Sequence, residues 1–411
     1  MEFFNCVSLP DAYALLKKEL SQLNLGAEKI ALTDSLDRIS AADIFAAEDL
    51  PPFNRSTVDG FAVFSQDTFG AGETSPALFS VAGEVLMGQE VTWRVHSGQA
   101  AAVPTGAMLP EGLDAVVMLE NTERPDKDTL LVFHPAAPLE NVVSAGEDVK
   151  KGELILGAGK SITPAVIGIL AACGICTVSV RPQIKVGIIS TGDEIIDISQ
   201  KPTGGQIRDV NSYALAAMLQ EAQLNCQVFS YGIIKDEYED LKRVLKKAAA
   251  ENDLVLISGG SSVGARDYTV QVIEELGERK VLFHGLAMKP GKPTIVGRAK
   301  NALVFGLPGH PVAAMTVCAQ LVKFAVRILL GQAEKAKFSV TATLTRNIAS
   351  APGRDDFFRV KLKEADGKYF AEPLLGKSGL ISTMAGADGL IHVDAATTGL
   401  YTAEEVQVEL L

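Results

Sequence analysis

Cysteine is scarce in this sequence, and its placement excludes a disulfide-stabilised fold. The 411 residues include five cysteines, at positions 6, 173, 176, 226 and 318. An odd and widely spaced set does not make a disulfide framework. Cys173 and Cys176 form a CxxC pair that could serve zinc or redox chemistry, but no second pair and no histidine cluster accompanies it. We therefore favour a helix end followed by a strand at this pair.

Two nucleotide-binding signatures and an excess of basic charge are also absent. The chain has neither the P-loop pattern GxxxxGK[ST] nor the dinucleotide pattern GxGxxG, so an ordinary NTPase is excluded and a dinucleotide enzyme is disfavoured. Its 38 Lys and Arg against 50 Asp and Glu give a formal net charge of −12. A general nucleic-acid binder needs a basic face, so we expect no nucleic-acid partner. A small anion in a local positive pocket remains compatible.

Targeting and membrane segments are not evident either. The stretch MEFFNCVSLPDAYALL lacks the basic start and apolar core of a signal peptide. We see no apolar run approaching the roughly 18 residues of a membrane span. We therefore expect a cytoplasmic protein with no membrane partner.

What is present is a multidomain pattern of strands and helices. Short strands, among them TWRVHSG, alternate with Gly and Pro turns from about residue 60 to 140, which predicts a mostly β module. From residue 183 short apolar strands alternate with helices, which predicts an α/β domain with a doubly wound, parallel-type sheet covered on both faces. After residue 335 the pattern is β again, which predicts a separate small domain.

Four unusual loops follow strands of the predicted α/β domain. They are STGDE (190–194), SGGSSVGARD (258–267), KPGKP (289–293) and GLPGHP (306–311). In open α/β sheets, ligands bind beyond the carboxyl ends of the strands. One glycine-rich loop often serves only a tight turn, but four such loops in one sheet predict a joint site.

The residue types of these loops suit an anionic ligand and a hard metal ion. Bare Gly and Ser backbone can cradle a phosphate or another oxyanion, and Lys289 and Lys292 add positive charge. Asp193, Glu194 and Asp267 are oxygen ligands suited to Mg²⁺. Each carboxylate could instead cap a helix, an alternative that stays open for Asp267. Capping is the favoured reading where a helix starts near Asp209 and Asn211, and Asp236 also opens a predicted helix.

Taken together, the motifs resemble the molybdopterin molybdenumtransferase family (MoeA and the gephyrin E domain). The resemblance spans nearly the whole chain, through PPFNRSTVDGFAV (51–63), VPTGAMLPEGLDAVVMLE (103–120), GEDVKKGELIL (146–156), STGDEI (190–195), SGGSSVGARDYT (258–269), MKPGKP (288–293) and GLPGHPVAA (306–314). It implies insertion of molybdate into adenylylated molybdopterin with release of AMP, and a requirement for Mg²⁺. It also implies a homodimer whose site is shared between two subunits.

The resemblance further implies four domains. These are a discontinuous N-terminal linker and dimerisation domain (1–44 and 141–182), a small β domain (45–140), a MoaB/Mog-like α/β domain (183–330) and a C-terminal β-barrel-like domain (331–411). Transient contacts with the adenylyltransferase and with apo-molybdoenzymes are possible partners of such a protein.

The family's site positions carry over residue by residue. The catalytic positions are Asp59, Thr105, Asp148, Glu194, Asp236 and Asp267, of which Glu194 and Asp267 are the metal ligands. The substrate-binding positions are Ser190, Thr191, Gly192, Asp193, Gly259, Gly260, Ser261, Ser262, Gly264, Lys289, Gly291, Lys292, Pro308, Gly309 and Ser378. The chain departs from the family pattern GLPGNPVS at His310 and Ala313. Because alanine has no hydroxyl, a contact to the oxyanion is missing there or comes from elsewhere.

Two other functions remain open at this point. One is the adenylyl transfer that precedes molybdate insertion, because the α/β domain of that enzyme family looks similar. The other is a non-catalytic scaffold, as in the gephyrin branch. The chain length and the two small β regions favour molybdate insertion, and the acidic loop residues argue against a purely structural role.

Overall fold

The computed structural model describes residues 6–21, 23, 25–221, 224–259, 268–276, 281–332 and 338–411. Within these ranges the α-helices are α1 (Leu9–Leu20), α2 (Pro164–Ala172), α3 (Asn211–Leu219), α4 (Tyr238–Glu251), α5 (Tyr268–Leu276), α6 (Pro311–Val317), α7 (Lys323–Leu329) and α8 (Ser382–Ala385). A π-helical turn, Cys318–Val322, joins α6 to α7 in one continuous helix.

The part of the chain before residue 183 folds mainly into short strands. They are β1 (Glu28–Ala31), β2 (Ile44–Phe45), β3 (Arg55–Ser56), β4 (Gly60–Val63), β5 (Ala77–Glu84), β6 (Gln99–Val103), β7 (Ala115–Met118), β8 (Thr122–Glu123), β9 (Thr129–Val132), β10 (Val142–Val143), β11 (Leu154–Leu156) and β12 (Thr177–Val180). Six of them form a sheet in the order β7-β4-β6-β5-β9-β8. Outside it, β1 pairs with β12 and β2 pairs with β11, so the chain segments before and after this sheet meet.

One predicted strand of this region, residues 92–98, is absent. The segment forms turns and irregular backbone instead. Trp93 and Val95 pack into the core of the small sheet, and the Trp93 ring covers Gly83. The two core-facing residues are two positions apart, which is also the spacing in a half-buried strand, but the segment pairs with no neighbouring strand among the described residues. The strand prediction here was wrong.

The two cysteines of the CxxC pair connect a helix to a strand. Helix α2 ends at Ala172 and β12 begins at Thr177. Cys173 is buried, Cys176 is exposed, and both are free thiols. The pair therefore has the structural role that the sequence favoured.

The α/β part begins at residue 183 and contains a six-stranded sheet. The strands of the sheet are β13 (Ile184–Thr191), β16 (Cys226–Ile234), β17 (Leu254–Ser258), β18 (Val281–His284), β20 (Ile295–Ala299) and β21 (Ala302–Leu307). Three short strands lie outside it, namely β14 (Ile195–Ile196), β15 (Ile207–Arg208) and β19 (Met288–Lys289). The order is β16-β13-β17-β21-β20-β18. Core residues of α1, α3, α6 and α7 cover one face, and those of α4 and α5 cover the other. The predicted two-sided α/β fold is confirmed.

The sheet is mixed rather than wholly parallel. Strands β16, β13, β17 and β21 run parallel, whereas β20 and β18 are antiparallel to their neighbours. The reason lies in the chain length between β20 and β21. Only Lys300 and Asn301 connect them, and two residues can close a hairpin but cannot make the crossover that parallel strands need.

The continuous helix Pro311–Leu329 is long and apolar enough to span a membrane by length and composition alone. The sequence reading, which saw no such run, was wrong on this point. However, 67% of its most apolar window is buried inside the protein. Packing against the sheet accounts for its apolar character, as in the core helix of a soluble domain.

The C-terminal part forms a closed barrel. Its strands are β22 (Ser339–Leu344), β23 (Ile348–Ala349), β24 (Asp355–Ala365), β25 (Lys368–Pro373), β26 (Gly389–Val393), β27 (Gly399–Leu400) and β28 (Glu405–Leu410). The ring runs β24-β25-β22-β28-β26 and closes through pairing of β26 with β24. Strand β19 of the α/β part adds to this sheet by pairing parallel with β24, which joins the two parts next to the KPGKP loop.

Candidate functional site

The loops predicted to bind anions start side by side at the carboxyl ends of three parallel strands. Ser190 near the end of β13 is in register with Ser258 at the end of β17. Ser258 is in turn in register with Leu307 at the end of β21. The backbone that follows each strand therefore emerges at the same edge of the sheet, where ligands bind in this class of fold.

Glycine is required where these loops touch. Gly259 has a φ of +101°, and a methyl group on it would lie 2.1 Å from the carbonyl oxygen of Thr191. A methyl group on Gly309 would lie 3.9 Å from the Cα of Gly259. At Gly259 only a residue without a side chain allows the loop to approach Thr191 this closely, whereas the distance at Gly309 is an ordinary van der Waals contact.

The side chain of Asn211 holds two of these loops together. Its Nδ2 donates to the Ser258 hydroxyl at 2.7 Å and to the Gly309 carbonyl at 2.8 Å. A carbonyl can only accept, so the nitrogen must face Gly309. Asn211 lies at the first residue of α3, where the sequence suggested a capping role, but its amide links strand ends instead.

Asp209 is the residue that caps α3. Its Oδ1 accepts a hydrogen bond from the backbone N–H of Ser212 at 3.1 Å, and its Oδ2 accepts from the Ser190 hydroxyl at 2.7 Å. The capping role favoured for Asp209 is confirmed. The same carboxylate also fixes the rotamer of Ser190, one of the predicted binding residues.

Three carboxylates lie around the ends of β13 and β16. The Thr191 hydroxyl donates to Asp236, whose backbone N–H donates to Asp193 Oδ1 at 3.3 Å. Asp236 thus binds Thr191, while Glu237 occupies the N-cap position of α4. A methyl group on Gly192 would lie 2.8 Å from Glu194 Oε2. Glu194 itself is exposed to solvent, so its oxygens are accessible to a ligand.

Part of the predicted site falls outside the described residues. This part comprises Gly260, Ser261, Ser262, Gly264 and Asp267, whose roles stay predictions. Within the described ranges no group of three or more His, Cys, Asp or Glu side chains could hold a metal ion.

The cleft between the α/β part and the barrel brings together a second group of predicted residues. It has a volume of about 810 Å³ and is lined by Lys289, Gly291, Lys292, Pro308 and Ser378, among others. Pairing of β19 with β24 places the Lys289 backbone beside Asp356. The sequence grouped Ser378 with these loops only through the family resemblance, and the fold supplies the physical reason.

Sequence reasoning missed three cations that line the same cleft, Arg354, Arg359 and Lys377. Arg354 pairs with Asp356, with its Nε 2.9 Å from Oδ1. Arg359 is only 7% exposed. One of its guanidinium nitrogens donates to the Gly376 carbonyl at 3.0 Å, whereas its Nε has no partner. Burial lowers the pKa of the Arg359 guanidinium.

Arg359 is therefore a buried cation with an unused donor at the wall of an open cleft. A buried charge without a full set of partners is costly, and an anion in the cleft would offset the charge of the guanidinium. The sequence feature that could have identified Arg359 is the strand DDFFRV, in which a single cation stands among residues typical of a buried strand.

The two departures from the family pattern also lie at this cleft. His310 Nδ1 is 2.9 Å from the Ser378 hydroxyl, and Val312 N–H donates to the Ser378 carbonyl at 3.1 Å. Ala313 is buried in the cleft wall. A serine hydroxyl is thus present at the cleft, supplied by the barrel.

Asp59 and Thr105, which are 46 residues apart, meet on the small β sheet. Asp59 Oδ1 accepts from the Thr105 backbone N–H at 2.7 Å and from its hydroxyl at 3.0 Å. These bonds, led by the backbone one, lower the pKa of the Asp59 carboxyl. Asp148 is exposed, and its backbone N–H donates to the Leu50 carbonyl at 3.0 Å. The described residues that line the cleft include none of these three.

Family models match along nearly the whole chain. The model described as "MoeA N-terminal region (domain I and II)" matches residues 7–174. The model described as "Probable molybdopterin binding domain" matches residues 187–327. The model described as "MoeA C-terminal region (domain IV)" matches residues 341–411.

Similar proteins agree with these matches. A Methanocaldococcus jannaschii protein named for molybdopterin biosynthesis is 38% identical over 99% of this chain and 98% of its own. The molybdopterin molybdenumtransferase of Haemophilus influenzae is 37% identical over 81% of this chain and 80% of its own. The crystal structure of a molybdopterin biosynthesis MoeA protein from Pyrococcus horikoshii has a TM-score of 0.84 at 37% identity and covers 99% of both chains.

Proposed function

This chain belongs to the MoeA family of molybdopterin molybdenumtransferases, enzymes of molybdenum cofactor biosynthesis, and we propose that it inserts molybdate into adenylylated molybdopterin, releasing AMP in a Mg²⁺-dependent reaction. The observation that carries the proposal is the cationic cleft between the α/β part and the barrel. Both substrates are anions, so a positive cleft beside glycine-rich loops suits them.

The charge balance of the cleft supports binding of a multiply charged oxyanion. Among the described residues, five cations line it, namely Lys289, Lys292, Arg354, Arg359 and Lys377, against one carboxylate, that of Asp356. Asp356 pairs with Arg354, so the described lining carries an excess of positive charge that favours molybdate or phosphate. Arg359 is the strongest candidate for a contact through a terminal guanidinium nitrogen, since no ion pair among the described residues neutralises it and a charge-assisted hydrogen bond to the oxyanion would do so.

The Ser378 hydroxyl supports the proposal at the position where the family's serine is replaced by Ala313. It lines the cleft and lies 2.9 Å from His310 Nδ1. We propose that this hydroxyl provides the oxyanion contact, with His310 fixing its direction. The two departures from the family pattern would then compensate each other.

We propose that Mg²⁺ binds near the ends of β13 and β16, where the described carboxylates do not by themselves form a metal site and the substrate phosphates would complete one. This ion prefers oxygen ligands and usually takes one or two carboxylates, with the substrate phosphates and water completing its shell. Exposed Glu194 and the nearby Asp193 and Asp236 offer such oxygens, and Asp267 is the further predicted ligand. When bound, Mg²⁺ would supply charge stabilisation at the phosphoanhydride.

The chain's own residues would act mainly by binding and orientation. The glycine-rich loops and the cleft cations would hold the two anions next to each other, which converts their encounter into a reaction within one complex. No covalent intermediate on the protein is part of the proposal, because the pterin's dithiolene sulfurs accept the molybdenum.

We propose that the protein is a homodimer with a shared site. Asp59, Thr105 and Asp148 do not line the cleft of their own subunit, so they would face the cleft of the partner. Exposed apolar side chains of the α/β part support such an interface, namely Phe229 on the edge strand β16 and, elsewhere, Ile198, Ile207, Val210 and Tyr213. The proposal also takes the enzyme to be cytoplasmic, with transient contacts to the adenylyltransferase and to apo-molybdoenzymes.

The decisive experiment is release of AMP from purified adenylylated molybdopterin, measured with and without molybdate and Mg²⁺. We expect AMP only when both are present. AMP formation independent of molybdate would contradict the insertion reaction. Formation of adenylylated molybdopterin from ATP and molybdopterin would instead identify an adenylyltransferase, and absence of both activities would indicate a scaffold.

A further inference from the structure

A second cavity lies between the α/β part and the barrel, separate from the cationic cleft. Its volume is about 620 Å³, and it shares no lining residue with the cleft. Most of its wall is apolar, formed by Met218, Met315, Ala319, Phe338, Ile381, Met384, Ala385, Ala387, Leu390, Leu410 and Leu411. This volume falls within the ~300–1,000 Å³ range of small-molecule sites.

One face of the continuous helix α6–α7 forms the floor of this cavity. Met315, Ala319, Lys323 and Arg327 all line it, at intervals of four residues. In a regular α-helix with 3.6 residues per turn, such a row drifts around the axis. The π-helical turn Cys318–Val322 lies within this row and has more residues per turn, so it reduces the drift. Such turns occur often at functional sites.

Four charged side chains line the described wall of the cavity: Lys323 and Arg327 on this helix, and the carboxylates of Glu221 and Glu409. Lys323 is neutralised by an ion pair with Glu221. The Arg327 side chain is half-buried, and no hydrogen bond or ion pair among the described residues engages it. Glu409 takes part in an interaction of its own, so Arg327 is the charged side chain of this wall for which the described residues supply no partner.

From this arrangement we propose that the cavity binds a small amphipathic carboxylate, an aliphatic chain with a single anionic head group. The aliphatic chain would occupy the methionine- and leucine-lined space, where its burial is favourable. Methionine side chains adapt to chains of different shape. The carboxylate would pair with Arg327, whose planar guanidinium suits bidentate contact. An amine would gain no contact with the Arg327 guanidinium, and an alcohol would forgo the charge assistance.

The proposal can be tested by calorimetric titration of the full-length protein with octanoate, octanol and octylamine. We expect saturable binding of octanoate with a Kd on the order of 1 mM or tighter. Arg327→Gln should weaken octanoate binding about tenfold, the usual effect of losing one charge-assisted hydrogen bond, and Arg327→Lys should retain most of it. Arg243→Gln is the matched control, since Arg243 lies on the exposed side of α4.

A second variant tests the enclosure rather than the charge. Ala385 lines the cavity and is exposed rather than part of a buried core, so Ala385→Trp should fill the space without unfolding the protein, which a thermal melt can verify. We expect it to abolish octanoate binding. Absence of saturable binding to the wild type, equal affinity for octylamine, or unchanged affinity in Arg327→Gln would each overturn the proposal. None of these results depends on the molybdate reaction, because the two cavities have no residue in common.

Discussion

Replacement of Arg359 by methionine should separate anion binding from fold stability. The side chain is 7% exposed and keeps one close hydrogen bond, to the Gly376 carbonyl at 3.0 Å. Losing that bond costs about 1 kcal/mol. Removing a buried Nε–H that has no partner returns roughly 1–3 kcal/mol. These opposing effects should leave the free energy of unfolding unchanged or raise it by up to about 2 kcal/mol.

The effect on anion binding should be much larger. A charge-assisted hydrogen bond contributes about 1.5–3 kcal/mol, which corresponds to roughly a 10- to 150-fold rise in the molybdate concentration that half-saturates AMP release. The assay is AMP release across a molybdate titration, with a thermal melt of each variant. Lys361→Met is the matched control, since Lys361 lies on the same strand but its side chain is 51% exposed. An unchanged half-saturation in Arg359→Met would refute the anion contact, and a collapse in melting temperature would show that Arg359 is structural.

Three further outcomes follow from the site geometry. Thr105→Val removes one of the two donors that lower the pKa of Asp59, so that pKa should rise and the acid limb of the rate profile should move to higher pH; an unmoved limb would mean that Asp59 need not be ionised. Gly259→Ala should lower the melting temperature and abolish activity because its methyl group would overlap a backbone oxygen, whereas Gly204→Ala, also at positive φ but with nothing within 4 Å, should cost only about 1–2 kcal/mol; equal effects would contradict the close approach. Mixing inactive Asp59→Ala and Asp267→Ala subunits should restore up to about a quarter of full activity, since half of the randomly formed dimers would have one intact site of two; no rescue, with subunit exchange verified, would refute the shared site.

The α/β fold was predictable because its signals are local and repeated. Each buried strand of four to nine residues and each helix leaves a periodic pattern, and four of the strands end in loops with unusual glycine, serine or acidic content. The edge of the sheet was less predictable. The pattern revealed β20 and β21 as strands, but their orientation depended on the two-residue connection at Lys300. Reading the connection length as well as the strands would have given the antiparallel hairpin.

Arg359 and Asn211 were not recognised as site residues for different reasons. Asn211 has a local explanation, since asparagine is common at helix starts, and only the fold shows that its amide reaches Ser258 and Gly309. Arg359 lies in a strand where one polar residue could equally point to solvent. Its significance comes from burial at the cleft, which depends on how the barrel is placed.

The placement of the barrel rests on a contact too short to leave any sequence pattern. Strand β19 has two residues, and its pairing with β24 sets Met288 beside Asp355 and Lys289 beside Asp356. The Asp355 backbone N–H also donates to the Ala287 carbonyl at 2.9 Å. Because β24 continues to Arg359, this pairing fixes a lysine of the α/β part and an arginine of the barrel on the walls of one cleft. The anion site is therefore a property of the junction between the two parts, and a change that weakens the β19–β24 pairing should impair anion binding even when every cation of the cleft is retained.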